Sequence, residues 1–144
     1  MAEDQYPEWV EAACRGHQCR SAGDLEGAIA GYSESLALNP DDAEIWFYRA
    51  MTHYDLRDFD AAIADFDEVV RRAPTWESGF IKRGYAYLAK DDYDRAIDDF
   101  NESIRLSPTL GPLYRNRGEA YLAKGEDALA EADFREAKRL EDSQ

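Results

Sequence analysis

One sequence unit of 34 residues repeats along almost the whole chain, and this period limits the folds open to it. The repeat places similar residues in register at three sets of positions: Pro40, Pro74 and Pro108; Ala28, Ala62, Ala96 and Ala130; and Tyr32, Phe66, Phe100 and Phe134. After an N-terminal extension at 1–8, four copies follow without insertion or deletion: 9–42, 43–76, 77–110 and 111–144. Such a repeat predicts units that stack, because one unit cannot bury its apolar face alone.

Each unit contains two helix patterns. In the first, Trp46 precedes Ala50 by four residues and His53 follows it by three, and equivalent residues keep these steps in the other units. Steps of three and four residues are the period of an α-helix. The second pattern begins after an acidic residue that suits a helix N-cap: Asp24, Asp58 or Asp92. We therefore predict eight helices of about 13 to 15 residues, stacked as antiparallel pairs.

The repeated residues also follow a known motif. Across the units they read W-x2-[LR]-[GA]-x2-Y, then A-x3-[FY]-x2-[ASV], then P, with five or more positions shared in one register. This arrangement resembles the tetratricopeptide repeat over residues 9–144. The runs Arg83–Lys90 and Arg117–Lys124, both RG-x-AYLAK, are similar to its bacterial form. The resemblance implies an all-α protein of one domain, an α-solenoid of four helix-turn-helix repeats in a short right-handed superhelix, that binds other proteins.

The repeat register also predicts which side chains form the core. Residues at the repeated apolar and small positions should be largely buried: Trp46, Ala50, Leu56, Ala62, Phe66, Phe80, Gly84, Tyr87, Ala96, Phe100, Tyr114, Gly118, Tyr121, Ala130 and Phe134. In the last unit, Asp127, Glu131 and Lys138 replace apolar residues of earlier units, which is typical of a terminal repeat that faces water. Some apolar surface remains there and leaves dimerisation open: Leu113, Leu122 and Leu129.

The chain is strongly acidic, with a net charge of −14 at pH 7. Nucleic-acid surfaces need clustered lysine and arginine, so we do not expect nucleic acid as a partner. Two interpretations of the acids remain: a field that attracts basic partners, or side chains that solvate the outer helix faces. The second interpretation predicts water-exposed carboxylates on the second helices, at Asp65, Asp67, Glu68, Asp98 and Asp99.

Neither a membrane span nor a signal peptide is expected. No stretch approaches about 18 consecutive apolar residues, and Met1 is followed by the acidic Glu3 and Asp4 instead of a basic and then an apolar stretch, so we predict a cytoplasmic protein. Cys14 and Cys19 lie five residues apart on the first helix, about 8 to 9 Å between Cα atoms, which is too far for a disulfide. His17 points to another side of that helix, so we predict free thiols and no metal site.

The sequence also lacks the usual signs of an enzyme. We find no glycine-rich phosphate loop, no Ser/His/Asp set, and no Cys/His pair with an orienting acid. His53 stands where other units have tyrosine, and we expect it to pack in or near the core. We therefore predict no catalysis and no cofactor, which leaves binding as the function.

Binding should use the concave side of the superhelix, which a second stripe on each first helix lines. This stripe and its flanks predict a partner-binding groove: Phe47, Tyr48, Met51, Tyr54, Ile81, Lys82, Tyr85, Leu88, Arg115 and Asn116. An apolar patch with polar edges is typical of a partner site, although ordinary packing against the next helix explains such residues too. Met51 and Tyr85 carry the most information, because the tetratricopeptide family often has asparagine there.

The family resemblance also suggests a carboxylate clamp, which holds the acidic C-termini of heat-shock chaperones. Where that clamp has lysine, asparagine and arginine, this chain has Ala13, His17, Tyr48, Ser78 and Lys82, so a clamp of that type is not expected. Two hypotheses remain. The chain is either an adaptor that binds a partner's peptide or helix, with Lys82 and Arg115 setting the polarity, or a scaffold that self-assembles through its groove or array ends.

Overall fold

The computed structural model describes residues 6–144, which contain eight α-helices and no strand. The helices are α1 (Glu8–Ser21), α2 (Leu25–Leu38), α3 (Ala43–Asp55), α4 (Phe59–Arg72), α5 (Glu77–Ala89), α6 (Tyr93–Leu106), α7 (Gly111–Lys124) and α8 (Asp127–Asp142). The prediction of eight helices is confirmed, and the longest, α8, has 16 residues. Most of the predicted N-terminal extension, residues 1–5, lies outside the described residues.

The helices form two compact units, each made of two helix-turn-helix pairs. The first unit holds α1 to α4 and ends at Arg72, and the second holds α5 to α8 and begins at Ala73. In the first unit, α1 packs on α2, α2 on α3, and α3 on α4. In the second, α5 packs on α6, α6 on α7, and α7 on α8. None of the helices in residues 6–144 is long and apolar enough to cross a membrane.

Acidic N-caps define where the second helices start. The Asp24 carboxylate accepts a hydrogen bond of 2.9 Å from the backbone N–H of Gly27 at the start of α2. Asp58 and Asp92 do the same for α4 and α6, at 3.2 Å and 3.3 Å. All three predicted caps are therefore confirmed, and each contributes about 1 kcal/mol by pairing an N–H that the helix leaves open.

Large aromatic residues from the second helices fill the core. Tyr32, Phe66 and Phe100 are completely buried, at the same repeat position on α2, α4 and α6. Of the predicted core, eight residues are buried: Ala50, Ala62, Phe66, Gly84, Ala96, Phe100, Gly118 and Ala130. Six more are half-buried: Trp46, Phe80, Tyr87, Tyr114, Tyr121 and Phe134.

Leu56 was predicted to be buried, and this was wrong. Its side chain is 36% exposed, because α3 ends at Asp55 and Leu56 already belongs to the turn. The next residue, Arg57, takes a left-handed backbone conformation with φ of 63° and turns the chain toward α4. The sequence prediction treated Leu56 as part of the buried side of α3, but the helix ends one residue before it.

Two acids that were predicted to lie in water are instead buried. Asp65 is 5% exposed and Asp99 is 3% exposed, and each receives two hydrogen bonds from an arginine 16 residues earlier. Arg117 and Asp133 repeat the pair in the last unit, at 2.9 and 2.7 Å. The solvation prediction failed at Asp65 and Asp99 because a guanidinium satisfies a buried carboxylate with two parallel hydrogen bonds.

The other members of that acidic set follow the prediction more closely. Asp67 and Asp98 are exposed, and Glu68 is half-buried beside Arg71 and Arg72. On α8, Asp127, Glu131 and Lys138 are exposed, as expected for a helix that faces water. The polar substitutions of the last repeat therefore lie on its solvent side.

The first repeat replaces the buried ion pair with close helix packing. Gly31 stands at the repeat position of Asp65, and a Cβ atom there would lie 2.6 Å from the backbone nitrogen of Gly16 on α1. The arginine of this repeat, Arg15, pairs with the exposed Glu34 at 2.7 Å. The absence of side chains at Gly16 and Gly31 thus lets α1 and α2 approach each other closely.

Candidate partner-binding faces

The predicted groove residues belong to both compact units. In the first unit, α3 carries a stripe that we call the first-unit face: Glu44, Phe47, Tyr48, Met51, Tyr54 and Asp55. In the second unit, α5 and α7 carry what we call the second-unit face: Ile81, Lys82, Tyr85, Leu88 and Asn116. Except for the exposed Glu44 and Asp55, these residues are half-buried, so part of each side chain remains open to contact.

Two aromatic residues of the first-unit face are held by packing within their unit. The Phe47 ring meets the buried Phe66 ring edge-on, with centroids 5.9 Å apart. The Tyr54 ring meets Phe59 edge-on at 5.3 Å. Ordinary packing between helices thus explains part of the position of both rings. Both are nevertheless half-buried, so part of each ring remains exposed. Packing fixes their orientation, which lowers the entropic cost of binding a partner.

Tyr48 turns toward α1 and joins a cluster of polar aromatic residues. Its ring lies edge-on to His17, with centroids 4.7 Å apart, and roughly parallel to Tyr32 at 6.2 Å. The Tyr32 hydroxyl lies 2.8 Å from Nδ1 of His17. Partial burial lowers the pKa of His17 below its ordinary value, and the nearby Arg20 lowers it further, while Glu44 acts in the opposite direction. The lowered pKa favours the neutral imidazole, whose Nδ1 shares a hydrogen bond with the Tyr32 hydroxyl.

A cleft of about 390 Å³ opens beside this cluster. It is lined by His17, Arg20, Ser21, Leu25, Tyr48 and Asp55. Nη2 of Arg20 lies 3.1 Å from Oδ2 of Asp55 and links α1 to α3. This ion pair was not predicted from the sequence. Its two members are 35 residues apart, one more than the repeat length. That separation places both at the C-terminal end of the first helix of consecutive repeats, and it could have indicated the pair.

The second-unit face contains a hydrogen bond between two predicted groove residues. The Tyr85 hydroxyl donates to Oδ1 of Asn116, and the Tyr85 ring meets the buried Phe100 edge-on at 5.6 Å. Nζ of Lys82 lies 5.9 Å from the centre of the Tyr85 ring, within range of a cation–π contact. The structure thus brings Lys82, Tyr85 and Asn116 together.

Arg115, which was predicted with this group, is engaged elsewhere. Its guanidinium pairs with Glu141 near the end of α8. Both side chains remain substantially exposed, at 48% and 40%. A partner that uses Arg115 therefore has to compete with Glu141, whereas the charge of Lys82 lies directly over the Tyr85 ring.

The residues considered for a metal site do not converge. Cys14 is exposed and Cys19 is half-buried, and both are free thiols. Within residues 6–144, no group of three His, Cys, Asp or Glu side chains is arranged to hold a metal ion. His53 is half-buried, and its Nε2 lies 3.8 Å from the buried Asp65 carboxylate.

Comparison with known families decides the identity of the repeat. Two profiles of the tetratricopeptide repeat match the sequence, over residues 20–75 and 84–125. The chain belongs to the tetratricopeptide repeat family. Tetratricopeptide repeats are protein-interaction units, typically without catalytic activity, and the chain is accordingly a protein-interaction module.

Solved structures of tetratricopeptide proteins share the fold. A crystal structure of MamA superposes with a TM-score of 0.88 at 21% identity, covering 94% of this chain and 79% of MamA. TTC0263, a thermophilic TPR protein in Thermus thermophilus, gives 0.73 at 26% identity, covering 93% and 75%. The first TPR of Spaghetti (RPAP3), bound to the HSP90 peptide SRMEEVD, gives 0.76 at 19% identity, covering 82% and 94%. No curated protein matches the sequence.

Proposed function

We propose that this tetratricopeptide repeat protein is a non-catalytic adaptor that binds a peptide or a helix of another protein. The proposed contact surfaces are the first-unit face and the second-unit face, each taken by itself, and they contain most of the groove residues expected from the sequence. The observation that carries the proposal is the half-buried state of the apolar side chains, centred on Met51 and Tyr85. Phe47 and Tyr85 pack against aromatic rings of their own unit, and all of these side chains still have surface to offer.

The contacts of each face support an adaptor more than an enzyme. Nδ1 of His17 is taken by Tyr32, and the Asp55 carboxylate is taken in part by Arg20. The Tyr85 hydroxyl is taken by Asn116. General acid or base catalysis needs a titratable group that faces a substrate, whereas these groups hold helices together. For location, we propose the cytoplasm, whose reducing conditions suit two free thiols.

A structural relative supports peptide binding by this fold. The first TPR of Spaghetti, which shares the fold, is bound to an HSP90 peptide. In this chain, His17 and Tyr48 occupy two of the positions that the chaperone clamp fills with asparagine, and they contact each other. The ligand chemistry proposed here therefore rests on the faces of this chain and not on that peptide.

Self-assembly is the second candidate function. Leu122 and Leu129 in the second unit are 53% and 48% exposed, which leaves apolar surface for another copy. The outer side of α8 opposes stacking there, because Glu131 and Arg135 form a largely exposed ion pair at 2.9 Å that a second copy would have to desolvate. Light scattering over a range of concentrations decides the matter, and a monomer at every concentration would exclude the scaffold.

The adaptor is tested by affinity capture from the native cell extract with matched variants. Met51→Glu places a charge in the first-unit face, and Leu38→Glu places the same charge at an exposed leucine near the end of α2. We expect Met51→Glu to lose partners that the unchanged protein and Leu38→Glu both retain. Identical partner lists for all three proteins would refute binding through the first-unit face.

A further inference from the structure

We propose that the segment bound by the first-unit face is basic, with apolar residues for the centre of the face and lysine or arginine for its two ends. This inference rests on the proposed function and adds the chemistry of the partner. It follows from where charge and apolar surface lie on α3, from the acceptors of the adjoining cleft, and from the engagement of the unit's arginines.

The first-unit face has an acidic residue at each end of an apolar stripe. Glu44 and Asp55 lie at the two ends of α3, and Phe47 and Met51 lie between them on the same side of the helix. At 1.5 Å per residue, the two carboxylates are about 16 Å apart along the helix. A bound helix with an apolar stripe and a basic residue about three turns apart at each end would match this spacing.

Both carboxylates have capacity for a cation. Glu44 is exposed, and among residues 6–144 its carboxylate forms no ion pair or hydrogen bond. Asp55 is paired with Arg20 through Oδ2 only, and its side chain is 41% exposed. In the cleft beside Asp55, the hydroxyls of Ser21 and Tyr48 form no hydrogen bond with the described part of the chain. An ammonium or guanidinium entering the cleft thus meets one carboxylate and two hydroxyl acceptors, beside Arg20, whose charge the same carboxylate partly balances.

The charge of the unit decides between a basic and an acidic partner. Residues 6–72 contain 14 acidic and 6 basic side chains, whereas residues 73–144 contain 15 and 11. The arginines of the first unit are engaged with its own acids or rings: Arg15 with Glu34, Arg20 with Asp55, Arg49 with Asp65, Arg57 with Phe59, and Arg71 and Arg72 with Glu68. The excess negative charge repels an acidic segment and attracts a basic one, and the attraction extends over a screening length of about 10 Å at about 0.1 M salt.

The test uses two synthetic helical peptides that differ only in charge. One consists of leucine and lysine in an amphipathic pattern, and its twin has glutamate in place of every lysine. We expect the lysine peptide to bind the protein at least about tenfold more tightly than its glutamate twin, measured by isothermal titration calorimetry at low salt. Equal affinity for the twins, or binding of neither, would overturn the inference.

Matched variants separate specific contacts from general attraction. Glu44→Gln/Asp55→Asn removes the two face carboxylates, and Glu8→Gln/Asp98→Asn removes two exposed carboxylates elsewhere. We expect the first pair to weaken the lysine peptide about fivefold and the second to change affinity by less than about twofold. Equal losses would refute a contact at the face. If the twins bind with equal affinity and Met51→Ala weakens both, the basic partner is refuted while the proposed binding face stands.

Discussion

Arg49 on α3 holds Asp65 on α4 through two hydrogen bonds of 2.8 Å, Nε to Oδ2 and Nη2 to Oδ1. Nη1 of the same arginine donates to the Ser33 hydroxyl on α2 at 3.0 Å. One half-buried guanidinium therefore connects three helices, and α3 is the helix that carries the first-unit face. The ion pair is part of what orients that face.

Removing Asp65 should destabilise the protein strongly. Asp65→Ala leaves the Arg49 guanidinium, whose side chain is only 19% exposed, without its carboxylate, and we expect a loss of about 3 kcal/mol in the free energy of unfolding. Urea denaturation followed by circular dichroism measures the loss. Glu34→Ala breaks the exposed pair with Arg15 and should change stability little. An equally small effect of both substitutions would contradict the structural role of the buried pair.

Adding a methyl group at Gly31 should separate α1 from α2. The new Cβ would lie 2.7 Å from Cα of Gly16, and both atoms belong to helix backbones that cannot yield easily. We expect Gly31→Ala to lower the free energy of unfolding by about 1 to 3 kcal/mol despite the better helix propensity of alanine. The neighbouring exposed residue gives the control, Ala30→Ser. Stabilisation by Gly31→Ala would show that the two helices are further apart.

The stability of the protein should fall in mild acid because of His17. Burial lowers the pKa of His17 in the folded protein, so the unfolded chain takes up this proton first, near pH 6.5. Neutral His17 therefore contributes to the free energy of unfolding. This contribution is complete above pH 6.5, and it is lost as the pH falls from 6.5 toward the lower pKa of the folded protein. We expect the urea midpoint of His17→Gln to depend less on pH between about 7.5 and 5 than that of the unchanged protein. Identical pH profiles would contradict a lowered pKa.

Much of the fold was accessible from the 34-residue period, and the errors have identifiable causes. Periodicity located the helices and the caps Asp24, Asp58 and Asp92, because both depend on local spacing. It failed at Leu56, where the helix ends before the repeated position is reached. It also failed at Asp65 and Asp99, because acids were judged by residue type alone.

The buried ion pairs did leave a signal in the sequence. Arg49 and Asp65 each recur after 34 residues, as Arg83 with Asp99 and again as Arg117 with Asp133. Two opposite charges that keep one spacing of 16 residues through three repeats indicate a pair. In the candidate site, the period brought Tyr85 and Asn116 close together on consecutive first helices. It gave no indication of Arg115 with Glu141, because no other repeat has an acid at the Glu141 position.

The central claim, that a partner binds on the first-unit face, is tested most directly by photo-crosslinking. The photoreactive residue p-benzoylphenylalanine replaces Met51 in one protein and the exposed Leu38 in another, and both are irradiated in the native cell extract. We predict that position 51 becomes covalently joined to a partner protein and that position 38 does not. Crosslinks to the same partner from position 38 with none from position 51 would contradict binding on this face.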